Sequence, residues 1–193
     1  MYMTVLKMTR QSILTATNLL DINSSNSVHR WLTNQQDTSR ADDSILYRVI
    51  NNDNEIYMYI QSKSKFNIEN IEKFGFIFVK SFNFDNADFS NFTHFDIQCF
   101  PNRTHNDKRL FIKNINDRYN WLQKKFSEHG IELLECIEYK QSNIVLDKGI
   151  PKNIPTATYR GKIQIIDENL AKDMIFSGLG RFKNYGLGLL LIK

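Results

Sequence analysis

Hydrophobic and polar positions divide the chain into short strand-like and helix-like segments that run through one order twice. Residues 2–9 read as a first strand, and the polar stretch after them ends in Asn23-Ser24-Ser25, residue types that cap helix N-termini. A short helix is therefore predicted near 26–34. Ile45 to Ile50 and Ile56 to Ile60 are rich in β-branched and aromatic residues, and Asn51-Asn52-Asp53-Asn54 between them is a turn signal, so the two read as a hairpin. Ile68, Ile71 and Phe74 suggest a short second helix, and Phe76 to Phe82 and Phe95 to Phe100 supply further strands. The order over residues 1–100 is β-α-β-β-α-β.

The second half repeats it. Arg109 to Lys113 opens as a strand, and a helix follows from about 115 to 129, where Ile115, Tyr119, Leu122 and Phe126 recur at spacings of four, three and four and Gly130 ends the element. Strands are expected near 132–146 and 156–166. Glu168 to Leu179 then gives a helix with Leu170, Met174 and Ile175 inward, and Gly186 to Ile192 a final strand. Two consecutive βαββαβ units, 1–100 and 109–193 with a linker at 101–108, define an α+β class, a tandem ferredoxin-like fold. That architecture hosts many functions and names none.

Composition narrows the choice. With 41% hydrophobic residues the chain buries a core, and its three prolines and eight glycines are too few for a disordered or linker-rich protein. Charge is uneven: residues 1–100 carry 9 Lys/Arg against 11 Asp/Glu and residues 101–193 carry 16 against 10, near −2 and +6. An acidic partner would meet the second half, although a solvated basic surface has the same count. Cys99 and Cys136 lack the paired spacing of a zinc site, so a reducing cytoplasm fits and no metal or other cofactor is expected. MYMTVLKMTR turns polar too soon for a signal peptide, and no apolar run approaches the roughly 20 residues of a membrane span. No membrane partner is expected.

The segment Ser177 to Leu190 is the most informative. Gly178, Gly180, Gly186 and Gly188, with Arg181 and Lys183 among them, lie between a helix and the last strand. Glycine lets backbone approach a phosphate closely and the two cations supply charge, but a helix cap followed by a tight turn has the same composition. It is no dinucleotide fingerprint, since Lys183 stands at the third glycine position, and no P-loop, which needs Gly-Lys-Ser/Thr before a helix.

Helix, then G-x-G-x-x-K-x-x-G-x-G-L-L, resembles the signature of the RAMP superfamily of CRISPR proteins, and specifically the CasE family. The Met1-Tyr2-Met3 strand, His29-Arg30-Trp31 before Leu46-Tyr47-Arg48, and Trp121-Leu122-Gln123-Lys124-Lys125 agree with it in the expected order. The resemblance implies a metal-independent endoribonuclease that binds and cuts the repeat hairpin of precursor CRISPR RNA and retains the product among the other subunits of a type I-E Cascade complex. It also implies the tandem fold and a catalytic histidine on the first helix.

His29 is that residue. In a helix starting near Asn26, Val28, Trp31 and Leu32 share one face, Arg30 points almost opposite and His29 falls on the edge of the apolar stripe. A lone edge histidine is often a surface or capping residue; the resemblance makes it the proton-transfer group. Some relatives carry a tyrosine one turn earlier, where this chain has Asn26, so a second acid or base is missing there or supplied by Tyr185 or a cation. Arg30, Arg181 and Lys183 are candidates to stabilise a charged phosphorane.

For binding, alternation over 156–166 puts Ala157, Tyr159, Ile163 and Ile165 on one face and Arg160, Lys162 and Gln164 on the other. Because A-form stems hide base edges in a narrow major groove, such a basic strand reads phosphates and shape. The resemblance implies a basic hairpin of the second unit that grips the stem, and Arg160 and Lys162 are assigned to it, with Arg103, His105, Lys108 and Arg109 on the side between the units; an exposed edge strand and a polar linker are the plainer readings. A non-catalytic RNA-binding RAMP subunit, or an unrelated tandem ferredoxin-like binding protein, are the competing classes.

Overall fold

In the computed structural model, which describes residues 1–17, 20–35, 45–66, 71–146 and 152–193, the chain divides into two units. The first comprises residues 1–87 with 145–152 and 184–186, the second 88–144, 153–183 and 187–193.

The first unit runs β1 (Tyr2–Thr9), α1 (Arg10–Leu14), α2 (Ser25–Asn34), β2 (Leu46–Asn51), β3 (Glu55–Ser62), a single 3-10 turn at Ile71–Phe74, and β4 (Phe76–Asn83). Its sheet has the order β2-β3-β1-β4, antiparallel throughout. Side chains alternate along each strand, so Leu6 and Met8 on β1 and Ile56, Met58 and Ile60 on β3 enter the core, where α2 lays Val28, Trp31 and Leu32 over them. Trp31 packs edge-on to Phe74, with centroids 5.4 Å apart. The expected second helix is only the 3-10 turn among the described residues, and Ile68 lies outside them. The helix Arg10–Leu14, capped by Thr9, was not predicted.

The second unit runs β5 (His94–Cys99), a hairpin of β6 (Asn102–His105) and β7 (Lys108–Phe111), α3 (Ile115–Ser127), β8 (Ile131–Leu146), β9 (Lys152–Ile165), α4 (Glu168–Ser177) and β10 (Leu190–Ile192), with sheet order β10-β5-β9-β8. This corrects the expected boundary. The strand near 95–100 does not close the first unit; it pairs with β9 and β10 and opens the second. Residues 101–108 are no linker either. They form most of the β6–β7 hairpin, whose turn puts Asn106 and Asp107 at positive φ, and the strand expected at 109–113 is that hairpin's second arm. The final strand is also shorter than expected.

On α3 the buried face is Arg118, Leu122 and Phe126, while Ile115 and Tyr119, expected inward, are exposed. Arg118 is 2% exposed because Glu138 on β8 accepts from its Nε at 2.7 Å and from NH2, and the Ile112 carbonyl accepts from NH1 at 3.1 Å. Burial pushes the Glu138 carboxyl up, but the Arg118 guanidinium, with a further hydrogen bond from Gln141, outweighs it and holds the group below its ordinary value. On α4, Ala171, Met174 and Ile175 are buried, whereas Leu170 faces out.

Candidate functional site

In the first unit, the Ser24 hydroxyl caps α2 by accepting from the Ser27 N–H, and the burial of Val28, Trp31 and Leu32 fixes the helix's rotation. His29 is thereby held half-buried at the margin and Arg30 exposed. Tyr47 on β2 braces the same turn, its hydroxyl donating to the Ser25 carbonyl at 2.9 Å. Burial pushes that phenol far above its ordinary value, so it stays a neutral donor.

The C-terminal segment returns to this point. Gly186 has φ +85° and lies flat on Tyr47, where a Cβ would fall 3.0 Å from the ring. Immediately before it, Tyr185 holds its ring 6.5 Å from that of His29, tilted by 45°. Residues 29 and 185, far apart in sequence, thus share one surface of the first unit. Tyr47 is a supporting residue that the sequence reading passed over as part of a strand.

The rest of the glycine segment is helix cap and turn. Gly178 ends α4 with φ +72° and donates its N–H to the Met174 carbonyl. The Leu179 N–H donates to the Gly188 carbonyl and the Gly188 N–H to Gln98, so close that a Cβ on Gly188 would sit 2.3 Å from the Leu179 oxygen. Lys183 directs its ammonium to the Ser177 carbonyl at 2.8 Å. These backbone and ammonium groups are occupied inside the fold, and the stretch Gly178 to Arg181 borders a ligand-sized space, with Arg181 supplying its cation.

That space is a groove of about 490 Å³ in the second unit. Arg103 and Arg109 from the β6–β7 hairpin, Trp121 and Lys124 from α3, and Gly180 and Arg181 line it, and among the described residues no carboxylate does. Lys125 also borders it and pairs with Glu128 at 2.6 Å, and Lys124 lies 3.9 Å from the same carboxylate. Arg109 is oriented by its hydrogen bond to the Thr104 hydroxyl. Sequence reasoning placed Arg103, Arg109 and Arg181 in binding or phosphate roles and named Trp121 and Lys124 only within the family resemblance, without a role; their spacing of three on one helix was the available signal. His105 and Lys108 face each other across the exposed end of the β6–β7 hairpin.

Arg160 and Lys162 do share the exposed face of β9. That face is charge-balanced: Lys162 pairs with Glu135 at 2.7 Å, and Arg160 lies over the Tyr139 ring at 4.9 Å, opposite Asp96 in the register. The Tyr139 hydroxyl donates to Asp96 at 3.0 Å. Neither cysteine is poised as a nucleophile, since Cys99 is buried and burial pushes the Cys136 thiol up to about 11. Among the described residues no helix is long and apolar enough to cross a membrane, and no group of three or more His, Cys, Asp and Glu could hold a metal ion.

Two βαββαβ-type units, with a histidine on the first long helix and a glycine turn before the last strand, define a tandem ferredoxin-like protein. Comparison with known proteins agrees. The chain belongs to the CRISPR associated protein family, whose model matches residues 1–193. A search of curated protein sequences finds no match. The fold is that of CRISPR endoribonuclease Cse3 bound to a 19 nt RNA (TM-score 0.82, 18% identity, all of both chains covered). It is also that of Cas6e from Escherichia coli str. K-12 (TM-score 0.68, 18% identity, covering 100% of this chain and 98% of that one). A chain of a CRISPR RNA-guided surveillance complex matches with TM-score 0.70, 18% identity and the same coverages. The resemblance to CasE proteins drawn from the sequence is met by the family model and by the shared fold.

Proposed function

We propose that this chain is a CRISPR RNA-processing endoribonuclease that binds the repeat hairpin of precursor CRISPR RNA, cuts beside its stem and retains the product within a Cascade complex. The observation that carries the reading is the pairing of His29, held at the margin of α2, with Tyr185 from the C-terminal turn. A histidine and a phenol on one surface supply two proton-transfer groups, which makes good the Asn26 departure. The shared fold supports the reading, since Cse3 is a CRISPR endoribonuclease and its structure holds RNA.

In the proposed step the substrate's own 2′-oxygen attacks the adjacent phosphorus while one of the two groups takes its proton. The bond from phosphorus to the 5′-oxygen breaks, the leaving oxygen receives a proton from the other group, and the products carry a 2′,3′-cyclic phosphate and a 5′-OH. No external water has to be activated, so the step needs no metal. Arg30 is the nearest cation in sequence and stabilises the charged phosphorane. The groove cations Arg103, Arg109 and Arg181 hold phosphates of the hairpin, and His105, Lys108, Arg160 and Lys162 are secondary contacts.

Under single-turnover conditions, His29→Ala should bind the hairpin as wild type does and cut it slower by about 10² to 10⁴ fold, the usual range for losing a general acid or base. A 2′-deoxy substitution at the cut site should abolish cleavage and leave binding intact. Wild-type cutting by His29→Ala, or cutting of the deoxy substrate, would leave an RNA-binding subunit without catalysis.

A further inference from the structure

The face of the first-unit sheet turned away from its core has a pattern that the proposed cleavage site does not use. Register across the strands gives three rows: Ile50, Tyr57, Lys7 and Phe78; Arg48, Tyr59, Val5 and Lys80; Leu46, Gln61, Met3 and Phe82. One end of this face is buried, with Leu46, Arg48 and Gln61 each at or below 3% exposure. Met3 is buried as well and Val5, Lys7, Ile50, Tyr57 and Tyr59 are half-buried, whereas the edge strand β4 is open, with Phe78 and Phe82 46% and 42% exposed. The Tyr57 and Tyr59 rings lie near-parallel at 6.4 Å. A lysine sits over a ring in two places, Lys7 over Tyr57 at 5.7 Å and Lys80 over Phe82 at 4.7 Å. Glu55 borders the face, engaged by Lys7 at 2.5 Å and by the Tyr57 hydroxyl.

Flat aromatic surfaces with cations between them bind a polyanion that carries flat groups, because bases stack on the rings while phosphates meet the ammonium groups. The spacing fits too: Tyr57 and Tyr59, two residues apart on β3, are 6.4 Å apart, a step suited to an extended chain and too long for the stack of a duplex, and Phe78 and Phe82, four residues apart on β4, span about two such steps. Phe78 and Phe82 would be costly to leave in water, and Lys80 between them argues against a purely apolar protein partner.

We infer that this face, centred on Tyr57, Phe78, Lys80 and Phe82, binds single-stranded RNA flanking the hairpin by base stacking. The inference rests on the RNA-processing reading for its ligand, but its test separates the two. Affinity is measured for a bare hairpin, for the same hairpin with a single-stranded extension of about eight nucleotides on either side, and for an unstructured oligonucleotide of that length. Wild type should bind one extended hairpin at least roughly 10-fold more tightly than the bare one. Phe78→Ala with Phe82→Ala should lose at least about 5-fold of that gain, and Lys80→Glu most of it, while both bind the bare hairpin as wild type does. Because all three side chains are exposed, the variants keep the fold, which circular dichroism verifies. Equal wild-type affinity for bare and extended hairpins overturns the inference, as does full retention of the gain by both variants. Loss of a protein subunit by the variants with the RNA gain intact also overturns it and makes the face a protein contact. If hairpin binding itself fails, the RNA-processing reading falls, whereas wild-type binding of the oligonucleotide that the variants lack still upholds the platform.

Discussion

Removing two groove cations should change how hairpin binding responds to salt. Arg103→Ala with Arg181→Ala deletes two of the cations in a groove without carboxylates, one from the β6–β7 hairpin and one from the glycine segment. Each phosphate a protein neutralises contributes about 0.9 to the slope of log K against log salt for a duplex and about 0.7 for a single strand. If each arginine meets one phosphate, the double substitution lowers the slope by about 1.4 to 1.8. A hydrogen bond to a charged group is worth roughly 1.5–3 kcal/mol, and solvent screening in an open groove brings each toward the lower end. The affinity loss at low salt is therefore about 3 kcal/mol, or more than 100-fold. Arg160→Ala with Lys162→Ala is the internal control of equal charge: Lys162 already pairs with Glu135, so the slope should fall by less than about 1. Fluorescence anisotropy on a labelled hairpin between about 50 and 200 mM salt measures both. A wild-type slope for the groove variant, or an equal fall for the β9 variant, refutes the assignment of phosphate binding to the groove.

Arg118→Met should destabilise the second unit by about 3–5 kcal/mol at pH 7, because it strands the buried Glu138 carboxylate. Glu138 sits below its ordinary value, so the pair stabilises fully above the unfolded carboxylate range and loses its contribution as pH falls through the lowered folded value. Urea unfolding should therefore show a smaller difference between variant and wild type near pH 4 than at pH 7. Gly188→Ala should cost at least about 1–2 kcal/mol, since alanine pays for the left-handed conformation and its Cβ meets the Leu179 carbonyl; an unchanged melting temperature would contradict the tight turn. Cleavage should proceed unchanged in excess EDTA, and loss restored by magnesium would overturn the metal-free mechanism.

Most elements were legible because their signals are local. Ser24 announced α2, and Val28, Trp31 and Leu32 set its face, so the position of His29 followed before any tertiary contact was known. Sheet membership is not local. The alternation over 95–100 says strand and nothing about its partner, and only pairing with β9 and β10 assigns it to the second unit. The same limit explains α3. Its apolar period includes Leu122 and Phe126 correctly, but the third inward position is Arg118, whose burial depends on a carboxylate 20 residues later on another element. No helical period identifies an arginine as core.

The candidate site shows where charge read along one strand and charge read in space part company. Arg160 and Lys162 alternate on β9 as a basic strand should, yet Asp96 comes from the neighbouring strand and Glu135 from the other, so the face is nearly neutral. The groove cations are the reverse case. Arg103, Arg109, Lys124 and Arg181 lie on a hairpin, a helix and a glycine turn with no common period, and the fold gathers them without an acid in the lining. A polyanion responds to the potential summed over all neighbours, not to the pattern along one element. On the proposed reading phosphate affinity follows the groove and proton chemistry follows His29 and Tyr185, the latter beside the turn that lays Gly186 on the Tyr47 ring. On that reading one C-terminal segment contributes to both through two neighbouring stretches, Gly180-Arg181 and Tyr185-Gly186, while the N–H groups of Gly178 and Gly188 are taken up by hydrogen bonds within the fold.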